Sequence, residues 1–148
     1  DGQDAPLLRK EKVDGGLPNV IWHRGHFSTS MLEDTLEAAS VCLGIFSTND
    51  KAQRVLPFKI YYYLAKGLPI ITGRSRIISR LSNECVESGG VSPFFSVKLG
   101  DADALSSLLL HLSKNPELLR TAGVAAEAYF NKFLNRKLIR QELEKLTC

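Results

Sequence analysis

Two cations, Arg54 and Lys59, flank Pro57 in the run RVLPFKIYYYLAKGLPIIT, and that arrangement suits the capture of an anion. Pro57 opens a helix, because its fixed φ is helical and its missing N–H would be an orphan donor there anyway. The free N–H groups of a helix start carry a partial positive charge, to which Arg54 and Lys59 add two full ones. The chemistry predicted is a cradle for a diphosphate; two solvated surface cations would leave the same spacing. No GxGxxG and no GxxxxGK[ST] occurs, so the glycine-rich dinucleotide and P-loop cradles are not expected. Cys42, Cys85 and Cys148 are odd in number, widely spaced and without a CxxC pair, which suggests neither a disulfide framework nor a zinc site. A reducing compartment is the default.

The elements that must position these residues alternate between strand and helix. Residues 19–23 (NVIWH) read as a first strand that buries Trp22, with residues 24–29 as its exit loop. Ser30 and Glu33 have capping-box spacing ahead of a helix whose Leu32, Leu36 and Ala39 face the core. Residues 41–46 (VCLGIF) form a continuous apolar strand, and a polar loop leads to Pro57. Ile60, Tyr63 and Leu64 share one face of the next helix, which Gly67 stops and Pro69 forbids to continue. Residues 69–72 (PIIT) then read as a strand buried on both faces. A helix through Ile77, Ile78 and Leu81, a strand at 94–97, and an Asp101-capped helix striped by Leu105, Leu108, Leu109 and Leu112 follow. Another helix starts at Asn115-Pro116 and runs to about Phe133. The end of a helix at 6–13, closed by Asp14-Gly15-Gly16, and an amphipathic helix from Asn135, with Ile139, Leu143 and Leu146 inward, complete the series. The alternation predicts a doubly wound α/β fold around a parallel sheet, with ligands at the carboxyl ends of its strands.

Bulk properties narrow the function classes. The 148 residues are one domain's worth, and 44% hydrophobic with 24% charged residues is ordinary for a globular protein. A net charge of +3 without a basic cluster interleaved with stacking aromatics argues against nucleic acid. No apolar stretch approaches the ~20 residues of a membrane span and no signal-peptide pattern is read, so neither a span nor export is expected. The first residue is Asp1 rather than methionine, so the expectation is a fragment or excised domain.

From about Asn19 onward the chain resembles the carboxyl-terminal half of GT-B glycosyltransferases of the retaining group one, or family four, type. NVIWHRGHF resembles the family's strand and glycine turn, and LEDTLEAASVCLGIF the following helix and strand. PFKIYYYLAKGLPII resembles the nucleotide-sugar helix with its A-x-G-x-P exit, and KLGDADALSSLLLHLSKNPELLRTAG the late Asp-started and Asn-Pro helices. The resemblance implies a Rossmann-like doubly wound sheet spanning residues 1–148, with the first strand-helix unit missing and residues from about 134 crossing toward an absent amino-terminal domain.

The resemblance also implies a site. Gly25, His26 and Phe27 would lie against the nucleotide base, and Leu56, Pro57 and Phe58 would receive the donor diphosphate with Lys59 as charged neighbour. Family members usually carry two glutamates, one facing the donor sugar and one the ribose hydroxyls; Arg54 and Tyr62 occupy those positions here. A phenol offers one oxygen where a carboxylate offers two, and a guanidinium accepts nothing but can bind a phosphate or a uronic acid. Tyr61 and Tyr63 are equally explained by packing. The donor implied is a UDP-, GDP- or dTDP-sugar, with no cofactor and no metal. The reaction is hexosyl or uronosyl transfer to a saccharide or lipid-linked acceptor held by the missing domain, so the fragment alone would be inactive. The implied location is cytoplasmic, with peripheral contact at the inner face of the membrane through Lys132, Arg136, Lys137 and Arg140; a solvated helix face explains those cations as well. Two other readings stay open: a non-catalytic GT-B-like module for assembly or partner binding, and an epimerase or phosphorylase of the same architecture.

Overall fold

The computed structural model describes residues 18–21, 23 and 25–134. The chain divides into two compact units, Asp1–Thr35 and Leu36–Cys148. The expected helices at 6–13 and from Asn135 lie outside the described residues, as does Trp22.

In the first unit the expected strand at 19–23 does not form among the described residues. Asn19 sits in a turn, Val20 and Ile21 carry no strand, and Ile21 is 80% exposed. A strand persists only where neighbouring strands take up its N–H and C=O groups, and the sheet is built from three other segments. Helix α1 (Thr29–Glu37) starts two residues earlier than its capping box predicts. Ser28, not Ser30, is the cap: its Oγ accepts from the Met31 N–H at 3.2 Å. Leu36 is buried, whereas Leu32 is exposed, so the predicted apolar stripe is only partly covered.

The second unit is an α/β assembly. Its order is β1 (Cys42–Leu43), α2 (Asp50–Arg54), α3 (Phe58–Ala65), β2 (Ile70–Gly73), α4 (Arg76–Glu87), β3 (Phe94–Val97), α5 (Ala102–Ser113) and α6 (Pro116–Tyr129). A π-helical turn, Phe130–Leu134, follows α6 directly. The three strands are parallel in the order β1-β2-β3, with Cys42 opposite Ile70 and Ile70 opposite Phe94. Parallel neighbours in sequence order, joined by right-handed crossovers, place their connecting helices on one face. The core agrees: Ile60 and Leu64 of α3 and Ile78, Leu81 and Cys85 of α4 pack in one cluster with Ile70 and Phe94. Helix α6 contributes Ala126 and Tyr129 to the same cluster.

Ile71 points to the opposite face by the alternation of a strand and is also fully buried. Strand β2 is therefore covered on both faces, as its apolar run predicts. Strand β1 departs from expectation, being shorter than residues 41–46, with Leu43 44% exposed. Beyond Leu43 the backbone still bonds to β2, through Gly44 N–H to the Ile71 carbonyl at 2.8 Å. Thr72 then takes over: its Oγ1 accepts from the Ile45 N–H and donates to the Ile45 carbonyl, each at 3.2 Å.

Helix ends follow the chemistry of their sequence. Asn49, Ser75 and Asp101 accept from Ala52, Ile78 and Ala104 N–H groups to cap α2, α4 and α5. Gly67, at φ +64, closes α3 in the left-handed conformation. Pro116 occupies the first turn of α6. Along α5 Leu112 is buried and Leu105 and Leu108 are half-buried, while Leu109 is exposed. Among the described residues no helix is long and apolar enough to cross a membrane.

Candidate functional site

The loops at the carboxyl ends of the strands are laced together by their backbones. Gly73 N–H donates to the Ile45 carbonyl at 2.8 Å, Arg74 N–H to the Val97 carbonyl at 2.6 Å, and Gly100 N–H to the Phe46 carbonyl at 3.2 Å. Two glycines permit this approach. A Cβ at Gly44 would collide with Thr72, reaching 2.6 Å from its Cβ, and one at Gly73 would collide with Leu99 and stand 2.8 Å from the Ile45 carbonyl. This edge is consequently a fixed platform.

Lys59 reaches onto that platform. It lies in the first turn of α3, and its Nζ donates to the Gly44 carbonyl, just past β1, at 2.7 Å. The side chain is largely exposed, but its ammonium is partly desolvated, which lowers its pKa; the nearby Cys42 acts in the opposite sense. Burial also pushes the Cys42 thiol up to about 11, against the pull of the Lys59 charge. An ammonium has three donors, so the bond to Gly44 leaves two for an incoming anion.

The start of α3 surrounds this group. Pro57 stands at the N-cap position in an extended conformation rather than inside the helix, and no side chain caps the N–H groups beyond it. Those groups retain the partial positive charge of a helix start. Leu56 brings only its backbone to the helix start: its side chain is half-buried and packs on the core cluster. Phe58 projects outward, 81% exposed, with its ring centroid 6.3 Å from that of Tyr61. Tyr62 is half-buried on the same helix.

Arg54 is held differently. It is exposed, and its Nε donates to the Asp50 carbonyl at 3.4 Å, along its own helix. A cation at a helix carboxyl end is favourably placed, so local electrostatics account for its position. Gly25, His26 and Phe27 belong to the first unit, where Gly25 adopts φ +89 and His26 is exposed. Phe27 is half-buried and meets His23 edge to face, centroids 5.4 Å apart.

The sequence reading named Lys59 and missed the Thr72 clasp that ties the strand edge beside it. The signal was present in Gly44, inside one apolar strand run, and Gly73, directly after another, since glycines in such places mark close backbone approach. Also missed was a second constellation in which Tyr129 Oη donates to Glu84 Oε2 at 3.2 Å and Arg80 pairs with Glu84 at 3.4 Å. The i,i+4 spacing of Arg80 and Glu84 on one helix announces their pair, but nothing announces that Tyr129 joins them. Among the described residues no group of three or more His, Cys, Asp or Glu is placed to hold a metal ion. No protein-family profile and no curated protein sequence matches the chain.

Proposed function

We propose that the chain is the donor-binding part of a retaining glycosyltransferase, built on a Rossmann-like doubly wound sheet and acting in the cytoplasm. The enzyme moves a sugar from a UDP-, GDP- or dTDP-sugar to a saccharide or lipid-linked acceptor. The observation that carries this reading is the Lys59 ammonium, held over the carboxyl end of a parallel strand beside the uncapped start of α3. Ligands of parallel α/β sheets bind at that edge. As the bond from the sugar to the diphosphate breaks, negative charge collects on the departing phosphate oxygens. Lys59 and the first N–H groups of α3 stabilise that charge without reorganising. Arg54 can join them at little cost, because its bond to Asp50 is long and exposed. Tyr62 supplies one oxygen to the ribose, a weaker hold than a carboxylate gives.

Titration of the chain with UDP, GDP and dTDP tests this. Saturable binding of at least one is expected, weakened about tenfold or more by Lys59→Ala, since a charge-assisted hydrogen bond is lost. Binding by none of the three, or binding indifferent to Lys59→Ala, overturns the reading. A second reading, a non-catalytic module of the same architecture serving assembly, is favoured by Arg54 and Tyr62 standing where the family's glutamates are expected. Sugar transfer by the full protein, lost on changes at Lys59 and Tyr62, removes that alternative.

A further inference from the structure

A cavity of about 490 Å³ opens between the end of α4, the turn at Gly89 and Gly90, and the outer face of α6. The turn leads into β3, so the cavity lies at the amino end of the sheet, opposite the edge where Lys59 sits. Its walls are aliphatic and aromatic, with Val91, Val124, Ala128 and Phe133 among them. Tyr129, a member of the core cluster, and Phe133 both line the cavity, their tilted rings 4.9 Å apart between centroids, while Phe130 and Leu134 pack on the core.

Several polar atoms around the floor are already committed. The Tyr129 phenol donates to Glu84. Three of the last four carbonyls of α4 take bonds as well: Ser88 N–H donates to that of Glu84, Gly89 N–H to that of Val86, and Gly90 N–H and Ser88 Oγ both to that of Cys85. What remains is charge at the rim. Arg120 and Lys132 line the cavity, and no carboxylate does so among the described residues. Lys132 lies 5.0 Å from the Phe133 ring centroid. Arg120 pairs with Glu117 at 2.6 Å, an exposed ion pair that exchanges easily for another anion.

We propose that this cavity binds a monomeric single-chain amphiphile carrying a carboxylate head. The volume lies within the ~300–1,000 Å³ range of small-ligand sites, and an apolar wall with a few polar groups at one end is their usual composition. The chain replaces water along Val91, Val124 and Ala128, a gain that grows with each buried methylene. The head meets Lys132 and Arg120. Nothing in this site depends on donor binding at the opposite edge.

The test is calorimetric titration of the chain with dodecanoate, dodecyltrimethylammonium and dodecyl glucoside, each kept monomeric, alongside sedimentation with phosphatidylglycerol vesicles. Dodecanoate is expected to saturate a single site and to bind roughly threefold or more tighter than the cationic chain, the scale of an exposed ion pair. Lys132→Gln should erase most of that preference while the glucoside still binds. Val124→Trp, at a position 65% exposed and so tolerant of size, should fill the cavity and weaken all three roughly tenfold or more. Equal affinity for the three heads, a preference untouched by Lys132→Gln, binding untouched by a folded Val124→Trp, or binding to vesicles without binding to monomers would each overturn the proposal. If Val124→Trp does not fold, the Lys132→Gln comparison decides.

Discussion

Lys59 and Cys42 titrate in opposite senses because both are partly removed from water beside each other. Burial raises the Cys42 pKa from 9.0 to about 11 and lowers that of Lys59. The signs for stability follow from linkage. A thiol whose folded pKa is raised contributes stability that is whole below pH 9.0 and is lost as pH climbs through about 11. A lysine whose folded pKa is lowered works the other way, gaining stability as pH rises through that window. Cys85, Tyr63 and Tyr129 are all raised, chiefly by burial, so the thiol-like sign dominates. Denaturant melts are expected to show falling stability between about pH 9 and pH 11, and Cys42→Ser should flatten the slope. A slope unchanged in Cys42→Ser would mean that the thiol is not the source. At neutral pH the same burial keeps Cys42 protonated and slow toward thiol reagents in the native state.

At the scale of elements, the meeting of α6 with the turn that closes α3 is governed by glycine. A Cβ on Gly123 would stand 2.7 Å from the Gly67 carbonyl, closer than a backbone atom allows. Gly67 is itself in the left-handed region, and its own Cβ direction points at Glu127 and the Gly123 carbonyl. Gly123→Val sets two effects against each other. Replacing a mid-helix glycine favours the helix by less than about 1 kcal/mol, while overpacking against backbone costs about 1–3 kcal/mol. The clash wins. Urea unfolding should find the variant destabilised by roughly 2 kcal/mol; a more stable variant would mean that α6 can shift outward without loss.

At the scale of the molecule, one cluster joins three helices to the sheet of the second unit. Leu64 is fully buried in it, with Ile60, Ile70 and Ala126. Leu64→Ala should cost about 2–5 kcal/mol, the range for a leucine cavity that neighbours only partly refill. A single cooperative transition moved to lower temperature is the expected scan. A loss under about 1 kcal/mol would show that the cluster relaxes into the space.

Several parts of this unit were legible in the sequence because their causes are local. Residues 57–72 announce a helix, its glycine stop and a strand buried on both faces, and the molecule has all three, since proline, glycine and β-branched residues act through their own backbone preferences. The Asp101 cap and the Asn115-Pro116 start are equally local. The expectation at 19–23 failed because an apolar run specifies a strand only when another strand accepts its hydrogen bonds. The full length of 41–46 failed in part because Thr72, distant in sequence, takes the backbone of Ile45 with its side chain.

The candidate site divides along the same line. Sequence by itself determined that Lys59 would stand in the first turn of a helix, with aromatic neighbours at helical spacing. Only the tertiary structure decided that its ammonium rests on Gly44, that Leu56 turns inward to the core, and that Arg54 bonds its own helix. It alone brought Tyr129 to Glu84 and opened the cavity beside them. Periodicity states which face of an element is apolar. Which elements share that face, and which polar atoms then meet, depends on packing among residues far apart in the chain.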